Sequence, residues 1–240
     1  MNVDPNQRVT LESSDGQIIP LRIEINRRAR RLILRLDEQR TEAVAVAPSP
    51  RHIKEAVAFA KTRIDWLATA LSKLPKPVHV KDGSGIYLRG DACRITATGS
   101  GRSPILEAGP PRLLRLPGDP ETIGRRALRY LRATARRDLE RAVNEYCDKL
   151  DLQPHTVSIK DTRSRWGSCT STGKLSFSWR LIMAPTDVLD YVAAHECAHL
   201  IEMNHSPAFW SIVEACKPDW RAARTWLHRN GSALHAVKLG

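Results

Sequence analysis

The sequence lacks a long apolar segment and any closely spaced pair of cysteines. None of its 240 residues falls in an apolar run of about 18, the length that spans a bilayer, so we expect no membrane segment. The first 15 residues contain no apolar core of signal-peptide length, which predicts a protein that is not exported. The five cysteines form no CxxC pair, which argues against a disulfide framework and favours the reducing cytoplasm.

Other recognisable patterns are missing as well. There is no Gly-x-Ser-x-Gly nucleophile elbow, which excludes the usual serine hydrolase of the α/β class. No internal repeat or low-complexity tract is present. The apolar and charged contents, 42% and 27%, are those of a globular chain that can bury a sizeable core in one or two domains.

Positive charge is concentrated in the first 150 residues. The chain has a net charge of +12, of which +10 belongs to residues 1–150 and +2 to residues 151–240. A surplus of this size favours contact with nucleic acid, while a solvated basic surface is the alternative. The nucleic-acid candidates recur at helical spacing: Arg125, Arg129, Arg132 and Arg136.

Strand patterns dominate residues 1–118. Short strands are predicted at 18–26, 31–37, 42–47, 86–89 and 94–97. One amphipathic helix is predicted among them, with Ser49 as N-cap and Pro50 in its first turn, ending before Pro75. These residues are therefore predicted to form a β-rich N-terminal region with one helix.

Residues 119–240 are predicted to form a second, mainly helical domain. A long helix is expected over 121–150, followed by strands at 155–162 and 174–181, and alternation in the last strand predicts one buried face. A helix over 187–203 comes next. Ser206 and Pro207 begin another helix, which Pro218 separates from a final one. The predicted fold class is α+β, with a small sheet inside the helical domain.

The helix predicted over 187–203 carries a metal-binding pattern, His195-Glu196-Cys197-Ala198-His199. Residues four positions apart lie one turn apart on the same helical face, so both imidazoles can reach one ion. Glu196 follows the first histidine and can reach a water on that ion without binding the ion itself. The pattern predicts a Zn²⁺-dependent metallopeptidase in which Glu196 is the general base.

A catalytic zinc ion is usually held by three protein ligands, and His205 is the favoured third. It follows His199 by six residues, beyond the predicted helix end, where a left-handed Asn204 would turn the chain back. Glu202, on the same helix, and Glu214, on the next, remain alternatives. The spacing equals that of the metzincins, but Glu202 replaces their glycine and no methionine follows His205, so that class is excluded.

Several blocks between about residues 160 and 210 resemble the YgjP-like metallopeptidases, relatives of the SprT-like proteases. They are Arg165-Trp166-Gly167-Ser168-Cys169, Leu175-Ser176-Phe177, Trp179-Arg180-Leu181, Tyr191-Val192, His195-Glu196-Cys197-Ala198-His199-Leu200, Asn204-His205-Ser206 and Phe209-Trp210. The resemblance implies a zincin-type domain that holds one Zn²⁺ per chain and cleaves a peptide or protein substrate. It implies His195, His199 and His205 as ligands and Glu196 as the base.

Further candidates surround the motif. By analogy with zincins, an edge strand, either 174–181 or its partner, would hold the peptide in extended form. An arginine beside the metal could stabilise an oxyanion or hold a substrate carboxylate, and a structural salt bridge is the alternative. The arginines concerned are Arg163, Arg165 and Arg180. Three aromatic residues are assigned to helix packing instead: Trp210, Trp220 and Trp226.

Two alternatives to a general peptidase stay open. The first is a nucleic-acid-associated protease, in which the basic region recruits DNA or RNA and the zinc site cuts the attached protein. The second is a non-catalytic binding module that zinc stabilises. Glu196 argues against the second, because a structural zinc site is closed and needs no base.

Overall fold

Residues 8–37, 41–153, 156–162 and 165–239 are described by the structure, a computed structural model. The chain separates into two units, residues 1–76 and 77–240, each with its own hydrophobic core. The domain boundary predicted at residue 118 lies inside the second unit. Strands within residues 85–116 belong to that unit because their buried side chains share one core with the long helix that follows them.

A four-stranded sheet and two short helices make up the first unit. The strands are β1 (Arg8–Glu12), β2 (Ile18–Ile25), β3 (Ile33–Asp37) and β4 (Glu42–Ala47), in the order β1-β2-β4-β3. The helices are α1 (Ile53–Lys61) and α2 (Ile64–Ser72). Their apolar faces pack against Leu21, Ala43 and Ala45 of the two central strands.

The prediction of a single helix in this unit is wrong, because the chain tightens between α1 and α2. The Thr62 hydroxyl donates to the Phe59 carbonyl oxygen at 2.8 Å, and the Arg63 amide donates to the Ala60 oxygen three residues back. Such local bonds compete with the regular helical ladder. A run of apolar residues at helical spacing does not reveal this interruption.

The second unit begins with a β-rich segment. Its strands are β5 (Val78–His79), β6 (Gly85–Leu88), β7 (Asp91–Ala97), β8 (Ile105–Glu107) and β9 (Arg112–Leu116). The last four form a sheet in the order β6-β7-β9-β8.

The remaining elements confirm the α+β fold class. They are α3 (Ile123–Lys149), β10 (Val157–Lys160), β11 (Gly167–Cys169), β12 (Leu175–Ser178), α4 (Thr186–Ala198), α5 (Pro207–Cys216), α6 (Trp220–Ala236) and β13 (Val237–Lys238). The predicted strand 155–162 corresponds to β10, and His155 lies outside the described residues. Within the described ranges, no helix combines the length and apolar character needed to cross a membrane.

Strand β12 is the centre of a small three-stranded sheet, in the order β10-β12-β11. All four of its residues are buried, including Ser176 and Ser178, so the predicted burial of one face only is wrong. Strands β10 and β11 flank β12, helix α3 packs against β10, and helix α4 packs against β11. The edge strands of this sheet are therefore β10 and β11.

A hairpin fixes the segment that leads into α4. Arg89 and Gly90, both with positive φ, form the tight turn between β6 and β7. The Arg89 amide donates to the Ile182 carbonyl oxygen at 2.7 Å. A Cβ at Gly90 would lie 3.0 Å from the Cα of Pro185, the residue before α4, so glycine permits this approach. On the other side of α4, the fully buried Cys197 faces Val143 of α3.

Candidate metal centre

The end of α4 and the start of α5 bring three histidines together. Helix α4 ends at Ala198, five residues earlier than predicted, so His199 is its C-cap residue. Ser206 caps α5 by accepting the amide of Phe209 at 3.3 Å, which places His205 just before that helix. The two helix ends therefore face each other across a short reversal.

Hydrogen bonds, rather than a left-handed residue, make this reversal. Asn204 is not among the described residues with positive φ, so the conformation predicted for it is wrong. Its amide donates to Oε1 of Glu202 at 3.1 Å, and the Glu202 amide donates to the Ala198 carbonyl oxygen at 3.0 Å. Glu202, one of the rival ligands, is thus engaged in shaping the turn.

The donor atoms of the three histidines fit one divalent ion. One ligand nitrogen from each of His195, His199 and His205 lies within 4.8 Å of the others. Nε2 of His195 is 3.1 Å from Nε2 of His205, close to the roughly 3.3 Å expected between two nitrogens on one tetrahedral zinc ion. Two imidazole lone pairs tolerate this approach when a proton or a cation lies between them. Nδ1 of His199 is 3.0 Å from the Glu202 carbonyl oxygen, and donation from Nδ1 leaves Nε2 for the metal.

Phe209 of α5 supports all three imidazoles. Its ring centroid lies 4.9 Å from that of His195, 4.4 Å from His199 and 4.8 Å from His205, and the side chain is fully buried. The neighbouring Trp210 lies 5.8 Å from His195 and 6.0 Å from His205 by the same measure. The assignment of Trp210 to helix packing alone is therefore incomplete, because its ring also borders the cluster.

Burial keeps His195 and His199 in the form that binds metal. Desolvation lowers the pKa of His195 to about 3, and the positive charges of His199, His205 and Arg224 add to the effect. Desolvation also lowers the pKa of His199. Neutral imidazoles are the metal-binding species, so the side chains need not lose a proton before an ion binds near neutral pH.

Glu196 lies against strand β11. Its side chain is buried, and a Cβ built on Gly167 would be only 2.5 Å from its Oε1 atom. Glycine at position 167 therefore allows the strand to approach the carboxylate. Burial raises the pKa of Glu196 to about 7, against a smaller lowering by the charge of Arg165. A carboxyl with this pKa can accept and return a proton near neutral pH.

The other rival ligand, Glu214, is engaged elsewhere. Its two carboxylate oxygens accept from Nη1 of Arg221 at 2.9 and 2.7 Å, and it also accepts from the indole N–H of Trp220. It is not part of the metal-ligating group found among the described residues. His205 is therefore the third residue that the fold brings to the pair on α4, and its role as a ligand stays a prediction.

The arginine candidates near the motif have different surroundings. Arg165 is exposed and close enough to Glu196 to affect its pKa. Arg180 is buried, and its guanidinium donates to Asp161 and to the carbonyl oxygens of Leu234 and Val237. Those bonds favour the structural alternative for Arg180, since they tie the end of α6 to the segment after β12. Arg163 lies outside the described residues.

The predicted nucleic-acid candidates all lie on α3 and are exposed: Arg125, Arg129, Arg132 and Arg136. Arg136 is paired with Glu140 at 3.1 Å and also donates to the Val157 carbonyl oxygen. The other three have no carboxylate partner in the part of the chain that the structure describes. Their positive charge is thus free to attract an anion.

Comparison with protein families matches residues 30–230 to the family described as YgjP-like, metallopeptidase domain. The chain belongs to the YgjP-like metallopeptidase family. The match covers the metal centre and the three-stranded and four-stranded sheets of the second unit, in agreement with the resemblance seen in the sequence. Searches of curated proteins and of solved structures returned no match.

Sequence reasoning missed two residues that shape this YgjP-like site. Gly167 is part of a sequence motif, but the motif does not indicate that its lack of a side chain admits Glu196. Phe209 also belongs to a motif, which does not indicate that its ring touches every histidine of the cluster. A glycine inside a strand is a signal of close approach. No spacing rule points to Phe209, because its contacts depend on how α5 returns to α4.

Replacing His205 with Ala should weaken metal binding strongly. The loss should exceed the roughly 10- to 100-fold that follows when a residue hydrogen-bonded to a metal ligand is replaced. The reason is that one of three donor nitrogens is removed. Metal affinity can be measured by competition with a chelating dye, using Zn²⁺. Glu214→Ala is the matched control and should retain full affinity; a loss in the control with none in His205→Ala would reverse the ligand assignment.

Replacing Gly167 with Ala should reduce hydrolysis of an unfolded protein about 100-fold, because the new methyl group displaces the Glu196 carboxylate by about 1 Å. Folding and metal content are measured on the same sample, since the methyl group would also lie 2.6 Å from Cγ and 2.7 Å from Cδ of the buried Glu196 side chain. Gly85→Ala is the control, as a Cβ there meets nothing within 4 Å. Full activity in Gly167→Ala would show that activity does not depend on this approach of β11 to Glu196.

Proposed function

We propose that this YgjP-like domain is a zinc-dependent peptidase that uses Glu196 as its general base. The observation that carries the proposal is the convergence of His195, His199 and His205 with a buried glutamate next to the first of them. Three imidazole ligands favour Zn²⁺ among the common divalent ions and leave a fourth coordination position for substrate or water. Zn²⁺ bound there would supply a Lewis acid that polarises the scissile carbonyl and lowers the pKa of water.

Glu196 would move the proton in this reaction. One carboxylate oxygen takes a proton from the attacking water as it adds to the carbonyl carbon, and the same group then gives it to the nitrogen of the leaving amine. Its low exposure and its contact with the glycine of β11 hold the carboxylate in one place. The ring of Phe209 packs against all three imidazoles and restricts their positions.

Strand β11 is the proposed site for the substrate backbone. It is an edge strand that runs beside Glu196, whereas β12 is central and has no free backbone groups to offer. An extended peptide can add to such an edge through main-chain hydrogen bonds, with little demand on sequence. Arg165 lies two residues before this strand, and its charge lowers the pKa of Glu196. It is therefore the candidate for stabilising the oxyanion.

We assign the peptidase to the cytoplasm on the basis of its cysteines. All five are free, and none is paired in a disulfide. Four of them are buried, and burial raises the pKa of each of those thiols, which keeps them protonated and unreactive. Free thiols of this kind suit a reducing compartment.

A nucleic-acid-associated protease is the second candidate, favoured by the unpaired arginines of α3. Arg125, Arg129 and Arg132 are exposed and lack carboxylate partners in the described chain. A neighbouring cleft of about 770 Å³ adds an aromatic ring and further positive charge, because Tyr130, Arg132 and Arg137 are among its lining residues. Phosphates bind such sites through charge, and one aromatic ring offers limited stacking.

Replacing Glu196 with Gln should lower the rate of protein hydrolysis by about 10²- to 10⁴-fold, because the attacking water loses its base. Zinc content should remain one ion per chain, since the amide removes no ligand. Elemental analysis and a protease assay on the same sample measure both quantities. Unchanged hydrolysis would refute the proposed role, and absence of hydrolysis in the zinc-loaded parent protein would favour a binding module.

If α3 binds nucleic acid, the affinity should fall steeply with salt and depend little on sequence. Replacing Arg125, Arg129 and Arg132 together with Gln should flatten the slope of log affinity against log salt, by up to about 0.9 for each phosphate that the variant no longer neutralises. Fluorescence anisotropy with single- and double-stranded oligonucleotides measures this.

The control for that experiment is Arg141→Gln on the same helix. Arg141 lies near two carboxylates, 3.6 Å from Glu145 and 3.8 Å from Asp190, so its charge is already balanced. The control should leave the slope unchanged. Equally weak binding at low and moderate salt would exclude the nucleic-acid alternative.

A further inference from the structure

A pair of stacked indoles extends from the histidine cluster along α5 and α6. The rings of Trp210 and Trp220 are 4.4 Å apart and nearly parallel, with an interplanar angle of 19°. Trp210 borders His195 and His205, and Trp220 stacks at 6.3 Å on Tyr191, a residue of α4. The two indoles therefore form a continuous stack from the histidine cluster to α6.

Arg224 of α6 lies across both indoles. Its guanidinium carbon is 5.1 Å from the ring centroid of Trp210 and 5.8 Å from that of Trp220. A guanidinium over an aromatic face is held by cation–π attraction while its N–H groups remain available. Arg224 is exposed, and no carboxylate of the described residues forms an ion pair with it.

Arg221, one turn earlier on the same helix, provides a contrast. It also lies over Trp220, at 4.7 Å, but its charge is neutralised by Glu214. Two arginines thus share one aromatic support, and only Arg224 is without a protein anion in the described chain. The ion pair with Glu214 explains the position of Arg221, and Arg224 has no such ion pair in the described chain.

The space beside Arg224 is suited to an anionic group. An open pocket of about 460 Å³ is lined by Trp220, Arg221, Arg224, Thr225 and His228, and no acidic side chain lines it. A guanidinium binds a carboxylate through two parallel hydrogen bonds. Stacking on the indoles restricts the side chain before a ligand arrives, which reduces the entropy that binding must overcome.

We propose that Arg224 determines specificity by binding a carboxylate of the substrate, so that the enzyme prefers peptides with an acidic group near the scissile bond. The carboxylate is either an Asp or Glu side chain or the free C-terminus of the peptide. This inference rests on the proposed peptidase function, since it assigns the substrate class of the same site. Arg224 acts by contact with the substrate and takes no part in holding the metal.

The test uses four fluorescent peptides of one sequence, with Glu or Gln at the variable position and with a free or an amidated C-terminus. The ratio of kcat/KM for acidic to neutral peptides is compared in the zinc-loaded parent, Arg224→Gln and Arg221→Gln. We expect Arg224→Gln to lower this ratio about 10- to 100-fold, the effect of losing a hydrogen-bonded charge pair. Arg221→Gln should preserve the ratio. Arg224→Lys should give an intermediate ratio, since it keeps the charge without the planar fork.

The four peptides separate the two sources of the carboxylate. Preference for Glu over Gln among amidated peptides assigns the site to an acidic side chain. Preference for the free C-terminus among Gln peptides assigns it to a terminal carboxylate. An equal fall for all four peptides in Arg224→Gln would overturn the proposal, because it would indicate a general structural effect.

A binding measurement keeps this inference separate from the peptidase proposal. Anisotropy of the same peptides on zinc-loaded Glu196→Gln, with and without Arg224→Gln, reports recognition without turnover. Tighter binding of acidic peptides that disappears with Arg224→Gln supports the site, even if no peptide is cleaved. Equal binding of acidic and neutral peptides before the Arg224 change overturns it, whatever the parent enzyme hydrolyses.

Discussion

One ligand nitrogen from each of three histidines lies within 4.8 Å of the others, and the second unit is organised around this constraint. Such a cluster is unfavourable if its members are charged, and desolvation keeps at least His195 and His199 neutral by lowering the pKa of each. Phe209 provides the apolar surface on which the three rings rest, and it does so from a different helix. The turn between α4 and α5, capped by Ser206, therefore has to hold both helices in one relative position.

The small sheet formed by β10, β12 and β11 also contributes to this site. Central β12 is buried on both faces and anchors β11, whose glycine approaches Glu196. The hairpin turn at Arg89 and Gly90 bonds to the segment before α4 and fixes where that helix begins. Burying a charged glutamate costs free energy, because the carboxylate loses its contact with water. The raised pKa of Glu196 reflects this cost, since burial favours the neutral form. The fold thus places a buried carboxyl group next to the three histidines.

The partners of each arginine distinguish its role in this basic chain. Arg180 is buried and bonded to the C-terminal segment, and Arg221 is neutralised by Glu214, so both are accounted for by the protein itself. Arg165, in the segment before β11, and Arg224, on α6, are both exposed, and their charges act on Glu196 and His195 respectively. An arginine without an ion-pair partner in the described chain is therefore a better candidate for ligand binding than an arginine that has one.

Local sequence patterns were sufficient to establish the family, the α+β class and the pairing of His195 with His199. Helical periodicity brings residues four apart to one face wherever the helix lies, so that pairing needs no knowledge of the fold. The identity of the distant residues that join the pair depends on tertiary contacts. His205 lies in the histidine cluster, and Glu214 does not. Gly167 allows β11 to approach Glu196. Arg224 lies over two indoles. These contacts depend on where helices end and how the chain returns, for which spacing along the sequence carries no rule.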